Sequence, residues 1–286
     1  MQIPRGGFLL QAWTITLLSA IAAILPSSIA KTQTSTKLKH LEDALLILHG
    51  LLPENNKYQH GKPTVIWQGV DGAADYVSIA DCSGFISELL SHSYSDYFTA
   101  EHFKKWSRTG KRKRPLAENF YYAIANQKDF LQIKKITEVQ PGDIIAIKYI
   151  RHQDPRTKDN TGHLMLVVEA PKKRRSTKPI IENTTQWEVT IVDQSCSGHG
   201  LYDSRRQPDK SDDGCVPDGN NIAENGENSP CTKNKYFYDG LGKGIMRIYA
   251  NEENDDILGY TWSKLKKSRY SSPDEKPLVI GRLDFN

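Results

Sequence analysis

The stretch Ala80-Asp81-Cys82-Ser83-Gly84-Phe85-Ile86-Ser87-Glu88-Leu89-Leu90 decides how the rest of the chain is read. Asp81 is a favoured N-cap type, and Phe85, Ile86, Leu89 and Leu90 recur at positions that share one helical face. The spacing predicts a helix anchored in a core, with a cysteine in its first turn. A thiol there meets the unpaired N–H groups and the positive end of the helix dipole, and both favour thiolate. With a cationic histidine close by, a cysteine moves from about 8.5 towards roughly 3.5–7.5. Ser83 and Gly84 are small and leave a substrate room to approach. Taken alone, Cys82 reads more readily as a small buried hydrophobe or half of a disulfide.

Upstream, Met1 to Ala30 has the layout of an export signal: Arg5, an apolar run from Phe8 to Leu25, Pro26 and the small-residue end Ser28-Ile29-Ala30. Cleavage is expected after Ala30, with an uncleaved anchor as the alternative because the run is long. No later stretch is apolar enough to span a bilayer. The expectation is an exported protein, periplasmic or secreted, without stable membrane insertion after cleavage. Of 286 residues about 255 then remain, enough for one well-packed domain. The net charge of +4 is mild and concentrated in Lys111-Arg112-Lys113-Arg114 and Lys172-Lys173-Arg174-Arg175. Both runs read as solvated loops, or else as attraction to an anionic surface such as cell-wall polymer or lipid headgroups. Neither interleaves aromatics, so nucleic acid is not an expected partner.

Residues 31–60 read as an N-terminal helix and lead-in. Leu38, Leu41, Leu45, Leu48 and Leu51 predict a packing helix ended by Gly50 and Pro53. Residues 54–79, rich in Gly, Asn and Asp, read as a loop approaching Cys82, with Trp67 a candidate wall of the site. Pro115 opens a further helix carrying Leu116, Phe120 and Ile124. From Ile136 the pattern turns to strands. The turn Pro141-Gly142-Asp143 leads into Ile144–Tyr149, followed by His163–Glu169, Trp187–Val192, Gly244–Ala250, Ile257–Trp262 and Leu278–Leu283. Helices first and about six antiparallel strands second make the class α+β.

An insertion at about 205–235, mostly Asp, Asn, Gly, Ser, Pro and Lys, reads as a surface loop. A Cys215–Cys231 disulfide is expected there, closing a loop of about 17 residues worth roughly 3 kcal/mol. Asp209-x-Ser211-x-Asp213-Gly214 imitates the start of a calcium loop, but Asn220 stands where the bidentate glutamate belongs. Ser195-Cys196-Ser197-Gly198-His199 repeats the Cys-Ser-Gly motif without an apolar helix behind it, so Cys196 is not read as a nucleophile. It is left over, or pairs with Cys215 or Cys231. His199, near the strand end, could support the active site, but reads more readily as a loop residue.

A thiol hydrolase needs a nucleophile, a base and a group that orients the base. His163 opens an apolar strand just after Gly162, and Asp193 ends the next one. If those strands pair, the two side chains meet and leave one imidazole nitrogen for Cys82.

Asp-Cys-Ser-Gly-Phe at 81–85, Pro-Gly-Asp-Ile at 141–144 and Gly-His-Leu-Met-Leu-Val at 162–167 resemble the NlpC-type cell-wall peptidases, which are papain-like cysteine enzymes. The resemblance runs from about Pro63 to Asp193. It implies a catalytic domain over 61–286, with the nucleophile helix packed on an antiparallel sheet. By that resemblance Cys82 is the nucleophile, His163 the base and Asp193 the third residue. Asp81 and Ser83 would bind a substrate's free amine, and the backbone N–H of Cys82 would help hold the oxyanion. No metal or cofactor is implied. The substrate would be an amide bond of a peptidoglycan stem peptide or muropeptide, often at D-glutamate or meso-diaminopimelate, and the protein a monomer. The chain departs from the family where a tyrosine precedes a Trp-Gly-Gly run. Here the run is Pro63-Thr64-Val65-Ile66-Trp67-Gln68-Gly69, so Tyr76 is the substitute for that pocket residue. The third residue in relatives is more often histidine. Alternatives are a transglutaminase-like acyl transferase, which shares the Cys-His-Asp order, and an exported binding protein without catalysis.

Overall fold

The computed structural model describes residues 38–107, 114–150, 160–206 and 238–285. The export signal at 1–30, the calcium-like segment and the Cys215–Cys231 pair lie outside them.

Among the described residues four α-helices are present: α1 (Lys39–Gly50), α2 (Cys82–Ser93), α3 (Ala100–Lys104) and α4 (Ala117–Ala125). The polar stretch 54–79 is not a plain loop. It contains β1 (Asn56–Tyr58) and β2 (Thr64–Ile66), which flank β3 (Val77–Ala80) in a small sheet. The lead-in to Cys82 is thus a strand. The remaining strands are β4 (Phe130–Ile133), β5 (Ile144–Lys148), β6 (Gly162–Val167), β7 (Lys172–Arg174), β8 (Thr184–Ser195), β9 (Gly240–Asn251), β10 (Ile257–Thr261), β11 (Tyr270–Ser271) and β12 (Leu278–Leu283). They form one nine-stranded sheet in the order β11-β10-β9-β8-β6-β5-β12-β4, with β7 also on β8. All of its pairings are antiparallel.

The class is therefore α+β, with nine strands in the large sheet rather than six. The three extra strands are β4, β7 and β11. β7 falls on the basic run expected to be a loop. Its backbone pairs with Gln186–Glu188 at the sheet margin while Lys172 and Lys173 stay in solvent.

Side chains alternate between the sheet's faces, which splits the core in two. Ile144, Ala146, Leu164, Leu166 and Val192 meet α2 and α4 on one face. Ile145, Ile147, Met165, Val167, Val189, Ile191, Met246 and Ile248 pack on the other. The face of α1 fully in the core is Ala44 and Ile47 with the buried polar residues His40 and Asp43, and the predicted leucines flank it. Helix α2 is buried along most of its length, with Phe85, Ile86, Leu89 and Leu90 inaccessible to solvent.

One pairing is short. Strand β8 runs beside β9 over its whole length, but meets β6 only at Leu166↔Val192 and Val167↔Ile191. On the other side the chains stay joined through Val168 N–H to the Thr190 carbonyl at 3.0 Å; towards His163 β6 and β8 part, and the start of α2 lies where they separate.

Candidate active site

Asp81 caps α2 as its residue type predicts, accepting from the backbone N–H of Gly84 at 2.7 Å. Cys82 follows in the first turn and is 5% exposed. Its thiol lies against the opening between β6 and β8, within reach of the backbone N–H groups of Leu164 and Ser83. Burial pushes this thiol well above the ordinary cysteine range. The carboxylates of Asp81 and Asp193 add to that rise, and the two N–H groups oppose it. Against the expected helix-start thiolate, burial and the two carboxylates outweigh the two N–H groups and favour the thiol form.

His163 stands second on β6, and the bend ahead of it requires Gly162. That glycine has φ 149°, and a Cβ on it would collide with the carbonyl of Ile147 across the strand pair. The ring reaches across the opening, and its Nε2 lies 2.6 Å from Oδ2 of Asp193 on β8. That leaves Nδ1 as the nitrogen able to serve a thiol. The indole of Trp262 packs edge-on against the ring at 5.4 Å.

Asp193 has no exposed surface and gathers more partners than the sequence suggested. Oδ2 also faces Nε2 of His199 at 3.0 Å, and Oδ1 accepts from Arg205 at 2.9 Å. Arg205 in turn donates to both oxygens of Asp203, at 2.9 and 2.7 Å. Burial would raise the Asp193 carboxyl, but Arg205, His199 and His163 hold it well below the usual carboxylate range. The turn carrying these residues lies on bare strand: Gly242 and Gly244 of β9 sit directly under Arg205 and His199.

His163, Asp193 and His199 are the His/Asp group among the described residues whose donor atoms are close enough to share a metal ion. Their spacing is that of hydrogen bonds. Two tetrahedral ligands of an ion at about 2.0–2.2 Å would stand about 3.3 Å apart, wider than the 2.6 Å between His163 and Asp193. Arg205 already takes the other carboxylate oxygen.

At the mouth of α2, Asp81 and Ser83 are both buried and hydrogen-bonded to each other at 2.8 Å. Arg114 donates to both oxygens of Asp81 and to the Ser83 hydroxyl. His60 stands 3.6 Å from Asp81 at the rim. Burial would raise the Asp81 carboxyl, but His60 and Arg114 hold it well below its usual range. Arg114 ends a basic run that reads as solvated, and it is the residue sequence reasoning missed at this rim.

Trp67 and Tyr76 are not brought to Cys82. Trp67 stacks on His92 at 4.0 Å and donates to the carbonyl of Asp43. His92 is in the last turn of α2, ten residues or about 15 Å of helix from Cys82. The Tyr76 ring lies on Gly50 at the end of α1, and Tyr76 precedes β3 at the end away from Cys82. The tyrosine that does come close is Tyr149, just after β5. Burial, then the neighbouring Cys82, Cys196 and Asp193, push its phenol up.

No family model matches this chain, and no solved structure matches it. It is 34% identical over 249 residues to the uncharacterized protein R653 of Acanthamoeba polyphaga mimivirus, an alignment that covers 85% of this chain and 95% of that protein.

Proposed function

This chain belongs to one family with the mimivirus protein, and we propose that it is an exported cysteine hydrolase of papain-like, NlpC-type architecture that cleaves amide bonds in peptidoglycan stem peptides. The observation that carries the reading is the meeting of three elements. A cysteine opens α2 at the parting of two strands, one strand supplies His163, and the other supplies Asp193 at 2.6 Å from it.

The mechanism follows from the protonation states. The resting thiol is neutral, so its proton passes to Nδ1 of His163 as the sulfur attacks the amide carbon. Asp193 holds the ring by Nε2 and stabilises the imidazolium that forms. The backbone N–H of Cys82 faces the developing oxyanion. Collapse expels the amine, which takes the proton from His163 and leaves a thioester. Water activated by His163 then releases the acid and restores the thiol.

The test is digestion of purified sacculi and soluble muropeptides by the full chain and by Cys82→Ala, read by mass spectrometry. New termini from the unaltered protein alone are expected. Equal cleavage by Cys82→Ala, or none by either, overturns the assignment. Addition of a primary amine that replaces water as acceptor would move it to the acyl transferases.

A further inference from the structure

The turn after β8 brings a second histidine to Asp193, and its hydrogen bonds fix its charge. Nδ1 of His199 lies 2.6 Å from the carbonyl oxygen of Trp262. A carbonyl has lone pairs and no proton, so Nδ1 must carry a hydrogen. Nε2 lies 3.0 Å from Oδ2 of Asp193, which Arg205 keeps ionised. A nitrogen lone pair facing that oxygen would be repelled, so Nε2 carries a hydrogen as well. An imidazole with two N–H groups is a cation.

We propose that His199 is a standing imidazolium which, with Arg205, clamps Asp193 as a fixed acceptor and so positions His163 with Nδ1 turned to Cys82. Its part in catalysis rests on the hydrolase reading above, whereas its charge does not.

The surroundings are consistent with that charge. The groups hydrogen-bonded to the His199 ring or its partners include Asp193 from β8, Asp203 and Arg205 from the same turn, His163 from β6, and the Trp262 carbonyl after β10; Cys82 from α2 and Tyr149 after β5 lie close enough to Asp193 to feel its charge. Gly244 of β9 contributes no charge. Among Asp193, Asp203, Arg205 and His199, two carboxylates, one guanidinium and one imidazolium sum to zero. A neutral His199 would leave a net negative charge in a place where His199, Asp203 and Arg205 are each under 5% exposed, and burial makes such a charge costly. Burial itself opposes the imidazolium, but the Asp193 carboxylate more than offsets it and the His199 pKa is raised.

The arrangement gives His199 a task beyond packing. Asp193 divides its two oxygens among three donors, so its position is set before any substrate arrives. Only one of them, His163, takes part in proton transfer. The positive charge of His199 also offsets the Asp193 charge that disfavours thiolate at Cys82.

The deciding measurement is imidazole nitrogen NMR on the full chain labelled at histidine, with His199→Gln used to identify the signals. Both ring nitrogens of His199 should still be protonated at about pH 7.5, where an ordinary histidine near 6.5 has lost its proton. A bare nitrogen on His199 at about pH 7.5 overturns the proposal. His199→Gln keeps an N–H donor for Asp193 and removes the charge. It should slow alkylation of Cys82 by iodoacetamide about tenfold at about pH 9, the effect of a one-unit rise in the thiol. An unchanged alkylation profile in a folded variant also overturns it, because a merely structural role would leave that profile in place. If the variant does not fold, assigning the signals through the ring's closeness to Trp262 in the unaltered protein keeps the first measurement decisive. Neither readout uses a substrate. A protonated His199 with no sacculus cleavage would therefore sink the hydrolase reading alone.

Discussion

Arg114 closes on Asp81 through two bonds, Nη1 to Oδ1 at 2.9 Å and Nη2 to Oδ2 at 3.1 Å. The carboxylate expected to receive a substrate amine is thus already neutralised by a guanidinium. An amine reaching Asp81 must compete with that pair, and a substrate carboxylate would find Arg114 at the same rim. Asp81 is 6% exposed and its carboxyl is depressed, so it contributes stability that is present above its unfolded value of 3.8 and is lost as pH falls through the folded value. Arg114→Ala should cost about 1–3 kcal/mol at about pH 7. That difference should shrink as pH is lowered towards about 2. Urea unfolding at the two pH values checks this, and an equal loss at both would show that Arg114 acts through something other than the Asp81 charge.

The raised thiol of Cys82 sets an expected reactivity. Iodoacetamide labelling at about pH 6 should be slow and should accelerate by about tenfold per pH unit up to about pH 9. Peptide mapping of the labelled protein reads the rate directly. Fast labelling of Cys82 at the lower pH would mean a resting thiolate, contrary to the burial described above.

Asp193→Asn removes one negative charge from a balanced buried group and leaves Arg205 and His199 facing Asp203 alone. The uncompensated cation should cost about 3–5 kcal/mol of stability. Hydrolysis should fall as well, because His163 loses its anionic partner. Denaturant unfolding measures the first effect, and a loss below about 1 kcal/mol would show that the group is not charge-coupled.

Gly244→Ala tests the clearance under the turn. Its Cβ would stand 2.7 Å from Cβ of His199 and 2.8 Å from Oδ2 of Asp203. The backbone must shift, at about 1–3 kcal/mol. Activity should drop further than that loss of stability explains, since His199 and Asp203 are displaced from Asp193. Lys243→Ala, one residue away on the exposed face, should change stability by about 0.5 kcal/mol or less. Similar effects from both would remove the clearance argument.

Much of the fold was legible because burial writes itself into periodicity. The apolar face of α2, the N-cap Asp81 and the bounds of β12 all follow from local pattern. What stayed hidden depends on distant partners. The strands of the small sheet, β1, β2 and β3, are three or four residues long, too short to show a period. The sheet is held by polar links such as Asn56 to both backbone groups of Leu241, and Ser78 to Gln194. β7 looks like a loop because an edge strand with one solvated row tolerates consecutive lysines. In the site, the order of Cys82, His163 and Asp193 was readable and His199 only as a secondary reading, whereas Arg114, Asp203 and Arg205 were not. Each reaches its partner through tertiary packing, and a turn rich in polar residues looks alike whether it is solvated or buried. One signal was present: Gly240, Gly242 and Gly244 alternate along a strand, so the first half of one face of β9 carries no side chains and something must lie on it. Trp67 and Tyr76 misled because sequence proximity to Cys82 was taken for spatial proximity, and β3 carries the chain away from them.

The two residue pairs that join β6 to β8 divide the large sheet into blocks, β4-β12-β5-β6 and β7 to β11. One block carries His163. The other carries Asp193, His199 and Arg205, and α2 leans on both. Alignment of Cys82, His163 and Asp193 is therefore a property of the joint between these two blocks. Slight parting at this joint separates His163 from Asp193 while leaving nearly all strand pairs intact. Such a protein should lose activity at denaturant concentrations below those that melt either block, with inactivation reporting the joint and spectroscopic unfolding reporting the sheets.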